Sequence, residues 1–265
     1  MAYTNVDKGT LERLLKTNTY LQTAEKLGVS RATVDRAIKI YGIKRSYRDL
    51  IDGIEVSEKT MQILYGSSLG DGNIRFNPSK NLEANFRAEH CVKQKDYLFW
   101  KYENLKDICA GEPKLNSSKY PSWYFTTRCH KDITTLYSQF YDNEGAKRLP
   151  DNFEYYINPV SLMVWFLDDG TTTFKMSTRA ELCVQGFTVL DIGRMIGTFK
   201  SKFGIDCKPS VRFDKRYGKH DTNIRFSKEG TLVLFSLIQP LVEVESMMYK
   251  VYPCNDYVPT SKKLG

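Results

Sequence analysis

One pattern occurs twice along this chain, in the same order. An apolar segment with small residues ends in Asp-Gly at residues 61–76 and again at 161–174, which places Asp71 and Asp169 98 residues apart. Two more landmark pairs follow at offsets of 101 and 103 residues: Phe125 with Phe226, and Lys147 with Lys250. Three landmarks in one order at nearly constant spacing indicate an internal repeat. The chain from about residue 57 to 254 is therefore predicted to be a tandem duplication.

The two Asp-Gly segments are predicted to be helices that pack against each other. Gly66 and Ser67 are small residues in an otherwise apolar helix, where glycine costs about 1 kcal/mol relative to alanine. Close contact between helix backbones is the usual compensation. The second helix, 159–167, begins with proline and carries the bulkier Trp165 and Phe166, so the contact is expected to be asymmetric.

Side-by-side packing of these helices would bring Asp71 and Asp169 together at their C-terminal ends. Gly72 and Gly170 would then release the chain into strands. A carboxylate in this position faces both the negative end of a helix dipole and a second carboxylate, and both are unfavourable. Bound divalent cations would offset the cost, and Mg²⁺ prefers a few carboxylates together with water and phosphate oxygens.

The bulk composition narrows the class of protein. A hydrophobic fraction of 41% predicts a folded chain, and a net charge of +8 favours a polyanionic partner. The six cysteines form no Cys-x-x-Cys pair and the three histidines are dispersed, which argues against a zinc site or a histidine-metal nuclease core. The absence of a long apolar run or signal-peptide pattern leads us to expect a soluble, intracellular protein in a bacterial or phage host or in an organelle.

A separate basic segment precedes the duplication. Residues 1–50 carry a net charge of +5, and residues 20–43 contain two short helical patterns around Gly28 and Ser30. Leu21, Ala24 and Leu27 are expected on the inner stripe of the first helix, and Val34, Ala37 and Ile38 on that of the second. The pattern predicts a helix-turn-helix with Arg31, Thr33 and Arg36 near the DNA-facing side, although an ordinary helical hairpin with a solvated basic face remains open.

The repeated motifs resemble a known family. LYGSSLGDG (64–72) and LMVWFLDDG (162–170) are similar to the paired motifs of single-chain LAGLIDADG homing endonucleases, and the similarity covers most of residues 61–253 but not 1–50. Ser68-Leu69 and Leu167-Asp168 depart from the consensus, whereas the acid followed by glycine is intact in both copies.

The resemblance implies an α+β fold and a metal-dependent activity. It implies two pseudo-symmetric αββαββα repeats, 57–158 and 159–254, that form a saddle on DNA behind the helix-turn-helix domain of 1–50. It implies Mg²⁺, with Mn²⁺ as a substitute, and two ions roughly 4 Å apart would suit hydrolysis of both DNA strands. The residues implied at the site are Asp71 and Asp169 with the adjacent Gly70 and Asp168 as metal positions, Lys147 and Lys250 as basic supports, and Glu89 and Gln185 as further polar catalytic positions.

The implied partner is double-stranded DNA with a long, specific and imperfectly symmetric target, bound by a monomer. Basic segments between the motifs supply candidate DNA contacts. For any single residue among them, a solvent-exposed charge without a DNA contact is the simpler interpretation. These are Arg75, Arg87, Lys114, Lys119, Arg128, Lys175, Arg179, Arg212, Lys215, Arg216, Lys219 and Arg225.

Two other functions remain open. A family of transcription regulators combines degenerate LAGLIDADG repeats with a helix-turn-helix, but it places that unit last and has lost the paired acids, both of which this chain keeps. An intron maturase would use the same fold to assist RNA splicing, and nothing in the sequence excludes that role.

Overall fold

The computed structural model describes residues 6–43, 54–77, 83–173, 178–214 and 218–252. The first range forms three helices, α1 (Lys8–Thr17), α2 (Tyr20–Leu27) and α3 (Arg31–Tyr41). Gly28 ends α2 with φ 65°, a left-handed conformation that glycine adopts without strain, and the Ser30 side chain caps α3 by accepting the Thr33 N–H. A small core of their own joins these helices: Val6, Leu11, Leu15, Ala24, Val34 and Ala37.

The position of Leu21 differs from the expectation. Its side chain is 58% exposed, whereas Thr23 and Ala24 form the buried part of α2. The reason is α1, which the helical-hairpin pattern did not include: it contacts both α2 and α3, so the buried face of α2 is set by three helices rather than two.

The rest of the described chain consists of two repeats of the same order, as predicted. The first contains α4 (Glu58–Leu69), β1 (Asn73–Arg75), β2 (Asn85–Cys91), α5 (Lys95–Leu105), β3 (Lys114–Asn116), β4 (Ser122–Thr126) and α6 (Lys131–Phe140). After a short α7 (Phe153–Tyr156), the second contains α8 (Pro159–Asp169), β5 (Gly170–Thr173), β6 (Arg179–Cys183), α9 (Val189–Phe203), β7 (Cys207–Asp214), β8 (Lys219–Phe226) and α10 (Lys228–Ile238). Both follow αββαββα, and both form an antiparallel four-stranded sheet, in the orders β1-β2-β4-β3 and β5-β6-β8-β7.

The strand registers define which residues correspond between the repeats. Asn73 and Thr171, each two residues after its aspartate, face Arg87 and Glu181 respectively. The counterparts that follow are Ala88 and Leu182, Glu89 and Cys183, His90 and Val184. The same register pairs Phe125 with Ile224 rather than with Phe226, because Phe125 faces Ala88 and Ile224 faces Leu182. The duplication is therefore confirmed, but the predicted correspondence of Phe125 with Phe226 is two residues out of register.

The two repeats meet at α4 and α8, as the glycine in the first motif predicted. A Cβ added to Gly66 would lie 2.3 Å from the Ser161 carbonyl oxygen and 2.9 Å from the Val164 Cβ. Trp165 and Phe166 do not widen this contact, because their rings pack into the second repeat, on Phe199 and Phe235 among others. One continuous core joins both repeats around this helix pair.

We expect Gly66→Ala to destabilise the fold by about 1–3 kcal/mol, because the new methyl group must displace backbone across the helix pair. Gly197→Ala is the matched control: this glycine lies inside α9 with nothing within 4 Å of an added Cβ, and alanine there should stabilise by about 0.5–1 kcal/mol. Urea unfolding of both variants checks the pair. Equal stability of the two would contradict close helix contact at Gly66.

Two further features bear on the expected class of protein. Among the described residues, no helix is long and apolar enough to cross a membrane. Cys91, Cys109, Cys129, Cys183 and Cys207, the cysteines within the described residues, are free thiols.

Candidate active site

Asp71 and Asp169 lie at the C-terminal ends of the paired helices. α8 ends at Asp169 itself, whereas α4 ends at Leu69 and its cap is Gly70, so Asp71 begins the exit toward β1. The two exits touch: a Cβ added to Gly70 would lie 2.6 Å from the Asp168 Cβ. The Asp71 side chain is 48% exposed and that of Asp169 is half-buried.

Lys147 and Lys250 occupy equivalent positions on these helix ends. The Lys147 Nζ donates to the carbonyl oxygens of Leu69 and Gly70 at 3.2 and 3.3 Å. The Lys250 Nζ donates to those of Leu167 and Asp168 at 2.6 and 3.0 Å. An ammonium group at a helix C-terminus is favoured by the helix dipole and satisfies carbonyl groups that have no partner within the helix. The structure thus brings both lysines to the two aspartates, one from each repeat.

The charges at these ends perturb one another. Burial, followed by repulsion from Asp71 and Asp168, raises the pKa of Asp169 to about 7. Burial and then the charge of Asp168 raise the pKa of Asp71 as well. Burial lowers the pKa of both lysines, and the largest opposing influence on Lys147 is Asp169 of the other repeat. Each acid is therefore costly to ionise in the absence of a cation.

We expect Asp169→Asn to melt at a higher temperature than the unsubstituted chain at pH 8 without metal. The folded chain holds the Asp169 proton more tightly than the unfolded chain, so its free energy of unfolding falls as pH rises from 3.8 toward about 7. A neutral amide does not lose stability in this way. Each kcal/mol of unfolding free energy that is retained raises the melting temperature by about 2–4 °C. Differential scanning fluorimetry against the exposed-acid control Asp107→Asn measures the effect. An unchanged or lower melting temperature for Asp169→Asn would contradict the claim that the ionised Asp169 carboxylate destabilises the fold.

Asp168 was expected to be a metal position, but its carboxylate has another partner. Lys101 on α5, fully buried, places its Nζ 2.7 and 2.9 Å from the two Asp168 oxygens. The Tyr97 hydroxyl donates to Asp168 Oδ1 at 2.9 Å, and the Asp71 N–H to Oδ2 at 3.3 Å. These four contacts satisfy the carboxylate inside the protein, so it serves the site by holding the neighbouring groups.

His90 is a site residue that the sequence analysis missed. It lies on the buried face of β2, 4% exposed, with Nδ1 3.8 Å from Asp71 Oδ2 and Nε2 3.8 Å from Asp168 Oδ1. Burial and then Lys101 lower its pKa to about 3, against the charge of Asp71 and a hydrogen-bonding contribution from Gln94. The ring is therefore neutral near pH 7. Strand alternation from the buried Phe86 and Ala88 was the signal that could have identified it.

Glu89 and Gln185 do not form an equivalent pair. Glu89 lies on the opposite face of β2 from His90 and accepts hydrogen bonds from Ser122, Asn116 and Arg87. These bonds, that of Ser122 first, lower its pKa. Its counterpart by register is Cys183, while Gln185 is exposed two residues beyond β6. The expected pairing of Glu89 with Gln185 is therefore two residues out of register.

The donors at the helix ends suit a divalent cation. Ligand atoms of Asp71, His90 and Asp168 lie within 4.8 Å of one another, and Asp169 adds a second half-buried carboxylate. A cation would stabilise the ionised forms of Asp71 and Asp169, whose pKa values are raised without one. The residues present thus fit a metal that prefers oxygen ligands, with an imidazole nitrogen close by.

The outward faces of the two sheets are polar and basic. In the first sheet, alternation places Asn73, Arg75, Asn85, Arg87, Glu89, Lys114, Asn116, Ser122, Tyr124 and Thr126 on one face. In the second it places Thr171, Thr173, Arg179, Glu181, Cys183, Lys208, Ser210, Arg212, Asp221, Asn223 and Arg225 on the corresponding face. Lys208, which the sequence analysis did not select, faces Arg225 across β7 and β8.

Most of the predicted DNA contacts that the structure describes lie on these faces. Arg87 stacks on Tyr124 at 3.7 Å and pairs with Glu89, and Arg225 pairs with Glu181 at 3.6 Å, so both are held in place by neighbours. Lys119 is exposed beside Tyr120 after β3, and Lys219 begins β8. Lys175, Lys215 and Arg216 lie outside the described residues.

Arg128 is an exception among these candidates. It is only 7% exposed, and its N–H donates to the Ile108 carbonyl oxygen behind the sheet. β4 ends at Thr126 and Thr127 pairs with Cys109, so the chain has already turned inward when it reaches Arg128. The expectation that Arg128 contacts DNA is therefore wrong.

In the front helices, Arg31 and Arg36 are exposed on α3, and Arg31 lies 3.8 Å from Asp35. Thr33 is half-buried, and its N–H and hydroxyl both contact the Ser30 cap, so it helps to begin the helix.

Several known proteins are similar to this chain in sequence. DNA endonuclease I-ChuI of Chlamydomonas applanata is 24% identical over 214 residues, covering 75% of this chain and 96% of that protein. Cytochrome b mRNA maturase bI2 of Debaryomyces hansenii is 26% identical over 220 residues, 79% of each chain. Protein RecA of Mycobacterium shimoidei is 26% identical over 208 residues, 75% of this chain but 47% of that protein, so the chain spans about half the length of this relative.

The homing endonuclease I-WcaI, solved bound to its DNA recognition sequence, has the same fold, with a TM-score of 0.68 at 22% identity over 81% of this chain and 96% of that one. A family model described as the LAGLIDADG DNA endonuclease family matches residues 61–234, from α4 to α10. That range is more than half of the chain and includes both aspartates and Lys147. The chain therefore belongs to the LAGLIDADG DNA endonuclease family.

Proposed function

We propose that this protein is a site-specific homing endonuclease that makes double-strand breaks in DNA with Mg²⁺ or Mn²⁺. The observation that carries the proposal is the convergence of Asp71 and Asp169 on one helix pair, each helix end bearing a lysine from its own repeat. The family match and the names of I-ChuI and I-WcaI support it. Residues 57–158 and 159–254 each serve one half-site, and a monomer is sufficient.

The residues of the site have separable roles in this reaction. Bound divalent cations would neutralise charge on the phosphate and activate water. Asp71 and Asp169 would hold these cations, and the carbonyl groups of Gly70 and Asp168 would lie beside the cations. Lys147 and Lys250 fix the helix ends and keep an ammonium group close to each carboxylate. Asp168, held by Lys101, fixes the Asp71 backbone. Glu89 orients Arg87 on the DNA-facing side.

The polar faces of the two sheets bind the duplex in this proposal. Arg75, Lys114, Arg179, Lys208 and Arg212 lie at register positions on those faces. Arg87 and Arg225 are held by carboxylates, which fixes their orientation and suits them to reading base edges. Lys175, Lys215 and Arg216, which lie outside the described residues, are proposed to hold phosphates, together with Lys119 and Lys219.

The front domain of residues 1–50 is proposed to add a DNA contact through α3. Its support is the left-handed Gly28 between α2 and α3 and the exposed Arg31 and Arg36 on α3. A chain that starts near Val56 keeps both aspartates and both lysines. We expect it to cut DNA, but only at higher protein concentration or lower salt.

The salt dependence and the footprint measure this contribution. Each lost phosphate contact should lower the slope of log affinity against log salt by about 0.9, and the footprint should shorten on one side by several base pairs. Arg31→Ala with Arg36→Ala in the full chain should reproduce part of the loss. If the slope and the footprint are both unchanged, the first three helices do not touch DNA.

An intron maturase is the second candidate function, favoured by the similarity to a cytochrome b mRNA maturase over 79% of each chain. The regulator alternative has less support, because this chain keeps both acids at its helix ends. Splicing of a candidate intron with and without Asp71→Asn would separate the activities, since a maturase role does not need the metal-binding acids.

Cleavage of a randomised duplex library tests the proposal. With Mg²⁺, sequencing of the cut ends should return one recurring site broken on both strands. With Ca²⁺ the protein should bind the same site without cutting it, because Ca²⁺ accepts looser coordination. An absence of cuts with Mg²⁺ and with Mn²⁺ would instead support a non-cleaving regulator.

A further inference from the structure

The two repeats match at their aspartates and lysines but differ on the buried face behind Asp71. The counterpart of His90 is Val184, and the counterpart of Lys101, counted along the same register, is Met195. Asp168 corresponds to Gly70, which has no side chain. A buried polar group of three side chains therefore stands beside Asp71, whereas Val184, Met195 and Gly70, none of which has a polar side chain, take the corresponding places beside Asp169.

His90 is the member of this group with a ring nitrogen that lacks a hydrogen-bond partner. Its Nε2 is buried without one in the described part of the chain, although buried polar atoms are nearly always paired. Nε2 lies 3.8 Å from Asp168 Oδ1, and Nδ1 lies 3.8 Å from Asp71 Oδ2. The ring thus lies between the two carboxylates, and at 3.8 Å neither nitrogen is within hydrogen-bonding distance of a carboxylate oxygen.

We propose that His90 is a nitrogen ligand for a divalent cation at the Asp71 half of the site, and that Asp168 orients its ring. A neutral imidazole has one N–H and one lone pair. With the proton on Nε2, the N–H points to the Asp168 carboxylate and the Nδ1 lone pair points to Asp71. Histidines that bind metals commonly donate their other N–H to a carboxylate in this manner.

The distances and charges fit this arrangement. Two metal–ligand bonds of about 2.1 Å span up to about 4.2 Å, so a cation fits between Nδ1 and Asp71 Oδ2 at their separation of 3.8 Å. Lys101 and Tyr97 hold Asp168 by 2.7 and 2.9 Å contacts, which fixes the carboxylate that the ring faces and leaves Asp71 as the acidic ligand. The inference rests on the proposed metal-dependent function and specifies its ligands.

A nitrogen donor changes which metal the half-site prefers. Imidazole favours later divalent transition ions, whereas an all-oxygen set favours Mg²⁺. Val184 gives the Asp169 half no such donor. His90→Val, which gives the first repeat the residue of the second, should weaken Co²⁺ binding about tenfold or more while changing Mg²⁺ binding less.

Electron spin-echo spectroscopy of Mn²⁺ bound to the full chain, free of any histidine tag, tests the assignment. The unsubstituted chain should show coupling of Mn²⁺ to a nitrogen nucleus, and ¹⁵N-histidine labelling should change that coupling. His90→Val should remove it while calorimetry still detects Mn²⁺ at the Asp169 half. The labelling measurement needs no variant, so it decides the question even if His90→Val fails to fold.

The outcomes separate this inference from the function on which it rests. Bound Mn²⁺ with no histidine coupling, or coupling that persists in His90→Val, overturns the role of His90 and leaves a divalent-metal nuclease standing. Mn²⁺ binding that is unaffected by Asp71→Asn and Asp169→Asn together overturns both.

Discussion

Asp71→Asn and Asp169→Asn should each abolish double-strand cleavage while DNA binding stays within about tenfold of the unsubstituted chain. Each carboxylate is a proposed metal ligand at a helix end, and neither lies on the polar faces proposed to bind the duplex. We expect the rate to fall at least about 10³-fold, equivalent to ~4 kcal/mol in the activation barrier. A tenfold limit on binding corresponds to about 1.4 kcal/mol.

Strand-resolved cleavage of the mapped target and a binding titration in Ca²⁺ measure the two quantities separately. Asp107→Asn is the matched control, because it removes an exposed carboxylate after α5 that no site residue contacts. Normal cutting of both strands by either site variant would overturn the assignment of the paired acids. Loss of binding together with cutting would show that the variant disturbed the saddle rather than the chemistry.

Lys101→Met should destabilise the protein by about 3–5 kcal/mol, the largest stability effect that we expect from one substitution. The ammonium group and the Asp168 carboxylate are both fully buried and lie 2.7 Å apart, so removing the cation leaves a buried charge without compensation. Methionine has a similar length and is what the second repeat carries at Met195. Lost packing volume is therefore a minor part of the effect.

The double variant Lys101→Met with Asp168→Asn separates charge from packing. Removing both charges should recover most of the lost stability, because a buried ion pair is often no more stabilising than a neutral pair of similar shape. Urea unfolding of the two single variants and the double variant gives the coupling energy. Additive losses would show that Lys101 and Asp168 contribute independently, against the contact described here.

The repeat structure and the helix pair could be predicted because their signals are local. Asp-Gly after an apolar helix and a small residue at Gly66 can be recognised in a few consecutive residues, and their recurrence indicates the duplication, whereas the αββαββα order was implied by the family resemblance. Lys147 and Lys250 could be located because they fall at equivalent places in both copies. Their contacts with the helix-end carbonyl groups were not predicted and are seen only in the structure.

The buried polar group beside Asp71 could not be predicted in the same way. Lys101 lies in a helix with other charged residues and its burial depends on Asp168, 67 positions along the chain. His90 carries no local metal-binding signal, because the three histidines are dispersed in the sequence and its neighbours Asp71 and Asp168 come from two different helix ends. Arg128 was misassigned because charge alone does not show where a strand ends.

The central claim is that the ends of α4 and α8 form one divalent-metal centre shared by both repeats. Fe²⁺ in place of Mg²⁺, with peroxide and ascorbate, produces short-lived radicals that cut the polypeptide beside the bound ion. Mass spectrometry of the fragments should find cuts near Gly70–Asp71 and near Asp168–Asp169, and excess Mg²⁺ should suppress both. Cuts confined to one helix end, or cuts elsewhere that Mg²⁺ does not suppress, would contradict a shared centre.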